Sequence, residues 1–281
     1  LTMNIFDIIL WPFKWVVSAV LWLFHELFTL IGLDAASGWT WVLAIVGLTL
    51  VANFIAAPLI AFGLWRLFGL DEPLGVGLLL CGLAAGAPFL IKLAEFAKAD
   101  TGLTVGVMTL LMITTVAYVP IVLPVFLKGS AVDPLAIASS LVILMLIPLA
   151  IGLFCRSRAP ELASKVRPAI GLLSTVSMVL VVVLTIVANF REVLSVYGTR
   201  GILAAVVYTA VCAGIGWALV FFSATARPVL ALGTAQRNAA AAFVVAGQNF
   251  DDPRVTVMIT VVLIAEFTML IPFARFVARK A

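Results

Sequence analysis

Two short segments place ionisable side chains inside long apolar runs. In the first, Gly86-Ala87-Pro88-Phe89 is followed by Lys92 and Glu95. Proline lacks an N–H and clashes with the turn before it, and glycine tolerates the backbone angles such a gap needs. The expected result is a half-helix starting near Phe89, with free N–H groups whose partial positive charge attracts anions. Lys92 lies in its first turn, where the dipole disfavours a cation, so it needs an anion nearby. Glu95 shares its helix face, and a substrate carboxylate is the other candidate. The competing reading is an ordinary kink, with Lys92 snorkelling to the surface beside Lys98.

The second segment is Gly233-Thr234-Ala235-Gln236-Arg237-Asn238. Three consecutive strongly polar side chains cannot face lipid, because arginine at mid-membrane costs from ~3 to more than ~10 kcal/mol on different scales. Lys92 and Arg237 are therefore expected to converge on one cavity and bind an anion, with Gln236, Asn238, Phe89 and Pro88 around it. The alternative is a structural Arg237 paired with Glu266 or a backbone carbonyl. Glu95 and Glu266 are candidate charge partners or proton carriers. Asn53, ahead of Pro58, and Thr104 are candidates for ion coupling, although threonines in membrane helices mostly satisfy their own backbone. No catalytic residue is expected, since HExxH, GxSxG and a matched acid pair are all absent from the sequence. Cys81, Cys155 and Cys212 are far apart and His25 has no Cys or His partner, so neither a disulfide framework nor a zinc site is expected.

The elements that must position these residues follow from composition. Of 281 residues, 64% are hydrophobic and 11% charged, whereas soluble domains are roughly 45–50% apolar and about 25% charged. Only lipid can cover such a surface, and long continuous runs make the spans helices rather than barrel strands. Against the roughly 20 residues that cross a bilayer, about nine runs emerge: residues 5–33, 39–68, 73–97, 103–127, 135–154, 168–190, 201–222, 228–250 and 255–277. The third and eighth are interrupted by the two polar segments. The first is expected to be too long for a cleaved signal peptide. The net charge of +4 comes from short loops, which excludes a nucleic-acid surface. Lys98, Arg156, Lys165, Arg167, Arg227 and the tail's Arg275 and Arg279 cluster on one side, so the C-terminus is expected in the cytoplasm, with the chain in the cell (inner) membrane.

Each interrupted run is soon followed by an acidic turn and a long helix. Runs one to four then match runs six to nine in inverted orientation, with the fifth as a connector. Paired broken helices of this kind point to a transporter binding site.

At these residues, above all GLAAGAPFLIKLAEFAKAD (82–100) and LGTAQRNAAAAFVVAGQNF (232–250), the chain resembles the bile acid:sodium symporter family. The resemblance covers nearly everything from Trp39 onward. It implies one all-α membrane domain over residues 1–281, with a core (about 39–128 and 199–278) and a panel (about 5–33 and 135–190). The third and eighth runs would be broken helices that cross in the core, and organic anions would bind between core and panel. The family's ion sites are altered here. Its Ser-Asn-like pair falls near Leu90 and Ile91, its glutamate at Gly233, and its Gln-Asn pair at Arg237-Asn238, while Asn53 and Thr104 match a glutamine and a hydroxyl position.

The expected function is a secondary carrier for a small organic anion, working by alternating access with fixed cations at the crossing. Sodium is the only cofactor weighed, and a homo-oligomer is allowed. A conventional sodium symporter using backbone carbonyls with Asn53, Gln236 and Asn238 is the first alternative. A receptor on a transporter fold is the second.

Overall fold

The structure is a computed structural model that describes residues 38–127, 133–188 and 190–279. The first expected run and His25 lie outside them. All elements among the described residues are helical. In chain order they are α1 (Gly38–Val51), a π-helical turn (Ala52–Ala56), α2 (Ala57–Phe68), α3 (Glu72–Leu83), α4 (Leu90–Ala97), α5 (Thr101–Phe126) and α6 (Pro134–Leu141). A second π-helical turn (Val142–Leu146) leads to α7 (Ile147–Arg158), α8 (Pro160–Ala188), α9 (Phe190–Val196), α10 (Gly201–Leu219), α11 (Ala226–Ala235), α12 (Ala239–Asn249) and α13 (Pro253–Ala278).

Six helices among the described residues are long and apolar enough to cross a membrane, and α3 is a shorter apolar helix. Both π turns end two residues before a proline, Pro58 and Pro148. Proline cannot donate to the carbonyl of the preceding turn, so each run loses a backbone bond there and the helix widens.

The helices pack closely because small residues allow it. A Cβ on Gly77 would come within 2.5 Å of the Val255 carbonyl of α13, and one on Gly216 within 2.3 Å of the Leu230 carbonyl of α11. Such contacts drive association where lipid offers no hydrophobic gain. α13 packs on α3, α4, α10 and α12, and α10 packs on α11. Asp252 caps α13 by accepting the Arg254 N–H at 2.9 Å. Side-chain hydrogen bonds from Arg254 hold the Asp252 carboxyl below the usual carboxylate range.

Burial divides the helices. Most of the α11–α12 span, 83%, is buried, against 18% of the Pro134–Arg158 span. The described side chains of α8 are nearly all exposed.

Candidate functional site: the junction of two helix breaks

The third and eighth runs are both broken, and the breaks touch. The chain leaves helical geometry between α3 and α4 (Ala84–Phe89) and between α11 and α12 (Gln236–Asn238). The Asn238 N–H donates to the Ala84 carbonyl at 3.0 Å. Around this bond α11 packs on α4, and α12 packs on α3.

Buried backbone groups must find partners, in lipid above all, and here they do. Ala85 is held from both sides by the Thr115 hydroxyl of α5, which accepts the Ala85 N–H at 2.9 Å and donates to the Ala85 carbonyl at 3.0 Å. Gly86 has φ +80, and a Cβ there would lie 2.4 Å from the Met112 N. Only glycine fits that conformation against α5. Its carbonyl accepts from Asn238 Nδ2 at 3.1 Å, while Asn238 Oδ1 caps α12 by accepting the Ala241 N–H at 3.1 Å.

Arg237 fills the centre. Its side chain is 1% exposed. Nε donates to the Cys81 carbonyl at 2.9 Å. One terminal nitrogen donates to Asn53 Oδ1 at 2.7 Å and to the Thr234 carbonyl at 3.1 Å. The other donates to the Gly82 carbonyl at 2.7 Å and the Asn53 carbonyl at 3.4 Å. A guanidinium has five N–H groups, and each meets an oxygen. Two of the acceptors are orphan carbonyls at the C-terminal end of α3 and one is at that of α11, where the helix dipole favours a cation. Asn53 is presented by the first π turn, and its Nδ2 donates to the Thr49 carbonyl at 3.0 Å.

Glu266 of α13 is 1% exposed. It meets Arg237 through the backbone: one carboxylate oxygen accepts the Arg237 N–H at 3.1 Å, and the other accepts from Gln236 Nε2 at 2.9 Å. Gln236 Oε1 is buried with no protein hydrogen-bond partner among the described residues. Of the two structural alternatives for Arg237, its guanidinium takes backbone carbonyls rather than the carboxylate.

Three expectations need correction. Lys92 does not join Arg237. Its side chain is 55% exposed and donates to Glu95 at 3.2 Å, and Glu95 also takes Arg167 of α8 at 3.1 Å. The reason is local: α4 is only Leu90–Ala97, and it turns Leu90, Leu93 and Ala94 inward, which leaves Lys92 and Glu95 outward. Gly233 does not open the second break. It is helical within α11, where a Cβ would approach the Leu90 side chain at 3.3 Å, and the break begins instead at Gln236. Thr104 donates to the Asp100 carbonyl of its own turn at 2.6 Å, and Thr115 is the threonine that reaches a break.

Pro88 is exposed, and Phe89 is half-buried with its ring 4.7 Å from that of Phe267. The roles of the Cys81, Gly82 and Thr234 carbonyls were invisible in the sequence, because main-chain ligands leave no side-chain signature. The signal that did exist was Pro58, whose missing N–H marks a turn with spare acceptors at Asn53 and Phe54; the Phe54 carbonyl accepts from Tyr118.

An apolar helical bundle whose two broken helices cap each other belongs to the class of multi-pass membrane proteins with discontinuous helices. Residues 27–196 match the sodium bile acid symporter family, and the chain belongs to that family. It is similar to a probable chloroplastic sodium/metabolite cotransporter, BASS3, of Arabidopsis thaliana, with 25% identity over 59% of this chain and 39% of that one. It is 29% identical to the probable chloroplastic sodium/metabolite cotransporter BASS5 of Oryza sativa subsp. indica, over 76% of this chain and 57% of the relative. The uncharacterized sodium-dependent transporter YocS of Bacillus subtilis (strain 168) is 28% identical over 51% and 45%. The matches thus span less than two thirds of each relative's length. Family and relatives are named for transport, and none for catalysis.

Proposed function

We propose that this protein is a secondary active transporter that moves a small organic anion across a membrane by alternating access. The observation that carries the reading is the hydrogen bond between Asn238 and Ala84, which joins two discontinuous helices at their breaks. Crossed half-helices supply helix ends and free backbone groups at membrane depth, where carriers place their binding sites. The mobile boundary runs between the core helices (about 39–128 and 199–278) and the less buried α6–α8 (the panel). The contrast in burial between those groups supports that division. Exposed polar contacts tie the two, Arg167 to Glu95 and Ser140 to Gln248 at 2.6 Å, and such contacts are cheap to break and remake. The two halves of the chain are read as inverted repeats, and the basic loops orient the C-terminus toward the cytoplasm of an inner membrane.

In this reading the substrate anion meets Lys92 and Arg167 rather than Arg237. Two cations share the single carboxylate of Glu95 there, which leaves net positive charge in the open. Pro88 and Phe89 supply the adjoining apolar wall. Arg237, with every N–H bonded, keeps the crossing assembled.

The test is uptake of labelled small organic acids into proteoliposomes under imposed sodium, potassium or proton gradients. Saturable uptake of at least one acid is expected, with little dependence on sodium. No uptake of any acid by folded protein would end the carrier reading. The relatives' printed names favour a second reading, a sodium-coupled symporter, and a steep, selective sodium requirement would establish it instead.

A further inference from the structure

The contacts of Arg237 describe a cage made only of oxygen. Its members are the carbonyls of Cys81, Gly82, Thr234 and Asn53 and the side-chain Oδ1 of Asn53, at 2.7 to 3.4 Å from guanidinium nitrogens. None of the five is anionic. Neutral hard oxygens, with carbonyls from the negative ends of two half-helices among them, are the ligands that discontinuous helices offer to the small cations driving transport. The cage suits a single positive charge. Arginine carries one at every accessible pH, and its backbone, bonded to Glu266, fixes it to the break.

We propose that this cage is a monovalent-cation site of the sodium class whose occupant is the protein's own Arg237. The positive charge that a dissociable ion would bring to the crossing is here covalently attached, so both half-helix C-termini are held together whether or not sodium is present. The site therefore cannot report a sodium gradient. Cutting the side chain back opens it to an external ion. The structural claim needs no substrate, and only its consequence for coupling rests on the transporter reading.

The experiment is thermal unfolding of the purified full chain in detergent, with sodium, potassium, choline or guanidinium chloride at equal, non-denaturing concentration. The unaltered protein should unfold at the same temperature in sodium, potassium and choline. Arg237→Ala should unfold lower in choline, and sodium should raise its midpoint saturably, by about 3–5 °C at ten times the dissociation constant, with potassium less effective. Guanidinium, which mimics the lost group, should also raise it. Adding Asn53→Ala to Arg237→Ala should abolish the sodium shift, which locates the ion. Rescue by guanidinium without sodium would make the cage a hydrogen-bonding hub and overturn the proposal. So would rescue by neither ion, or an equal sodium shift in the unaltered protein. Should Arg237→Ala be lost on extraction, Arg237→Gln prepared in sodium takes its place, and failure to recover that variant folded in either salt also counts against the site. Failure of the uptake assay with a positive sodium shift would sink the carrier reading alone.

Discussion

The two helix breaks solve one problem by opposite means. The first, Ala84–Phe89, is made of small residues and proline up to its last residue, Phe89, and with the end of α3 it offers mainly acceptors: the carbonyls of Cys81, Gly82, Ala84 and Gly86. The second, Gln236–Asn238, is made of polar side chains and offers donors: the guanidinium of Arg237 and the backbone N–H and side-chain amide of Asn238. Alone, each would leave buried backbone groups bare, at several kcal/mol apiece in a lipid-like interior. Together they close each other's account. A broken membrane helix is thus stable here as one member of a pair, and an acceptor-rich break predicts a donor-rich partner elsewhere in the chain.

The sharpest way to break the pair is to remove its main donor. Arg237→Ala in sodium-free buffer should cost more than about 4 kcal/mol, since several buried acceptors lose their partners at once at roughly 1–3 kcal/mol each. The check is the midpoint of thermal unfolding in detergent, and a loss comparable to an ordinary surface substitution would refute the pairing. Gly86→Ala strikes the acceptor side. It forces a side chain into φ +80 and against the Met112 N, so a loss of about 2–4 kcal/mol is expected from strain and overpacking. Full stability there would mean that the first break is loose rather than clamped against α5.

Asn238 faces both breaks, which allows its contributions to be separated. Asn238→Ala loses the cap of α12 and the bond to the Gly86 carbonyl, for about 2–3 kcal/mol together. Asn238→Ser keeps a good capping hydroxyl but is too short to reach Gly86, so it should recover about 1 kcal/mol of that loss. Equal unfolding temperatures for the two variants would show that the inter-break bond, and not the cap, holds this residue in place.

How much of this was legible in the sequence differs between the two breaks. The first announced itself, because Gly86 and Pro88 act through backbone geometry that any reader of local sequence can follow. The second was located by its polarity, yet its start was placed at Gly233 when that glycine is a packing residue against Leu90. Arg237 was recognised as turned away from lipid but expected to line an anion-binding cavity; its partners are mostly carbonyls, which every residue possesses. Lys92 was grouped with it because both are cations near a break. A run of eight residues such as α4 carries too weak a periodic signal to tell which side chains turn inward, and the long-range ion pair of Glu95 with Arg167, on α8, has no local sequence trace at all.

The gentlest comparison sets Lys92 beside Arg237. If burial, and not charge, decides what each cation contributes, Lys92→Met should change stability by no more than about 1 kcal/mol, the range for exposed ion pairs. Glu95 keeps Arg167 as a partner in that variant, so no carboxylate is stranded. Uptake should still fall, because Arg167 and Glu95 then neutralise each other and no net positive charge is left to meet the substrate, while the crossing stays intact. The discriminating measurement is the pair of readouts on one preparation. A high KM with an unchanged unfolding midpoint assigns Lys92 to the substrate. An unfolding midpoint lowered as far as in Arg237→Ala would return Lys92 to the crossing, and the division of labour between a sealed cation and an open one would fail.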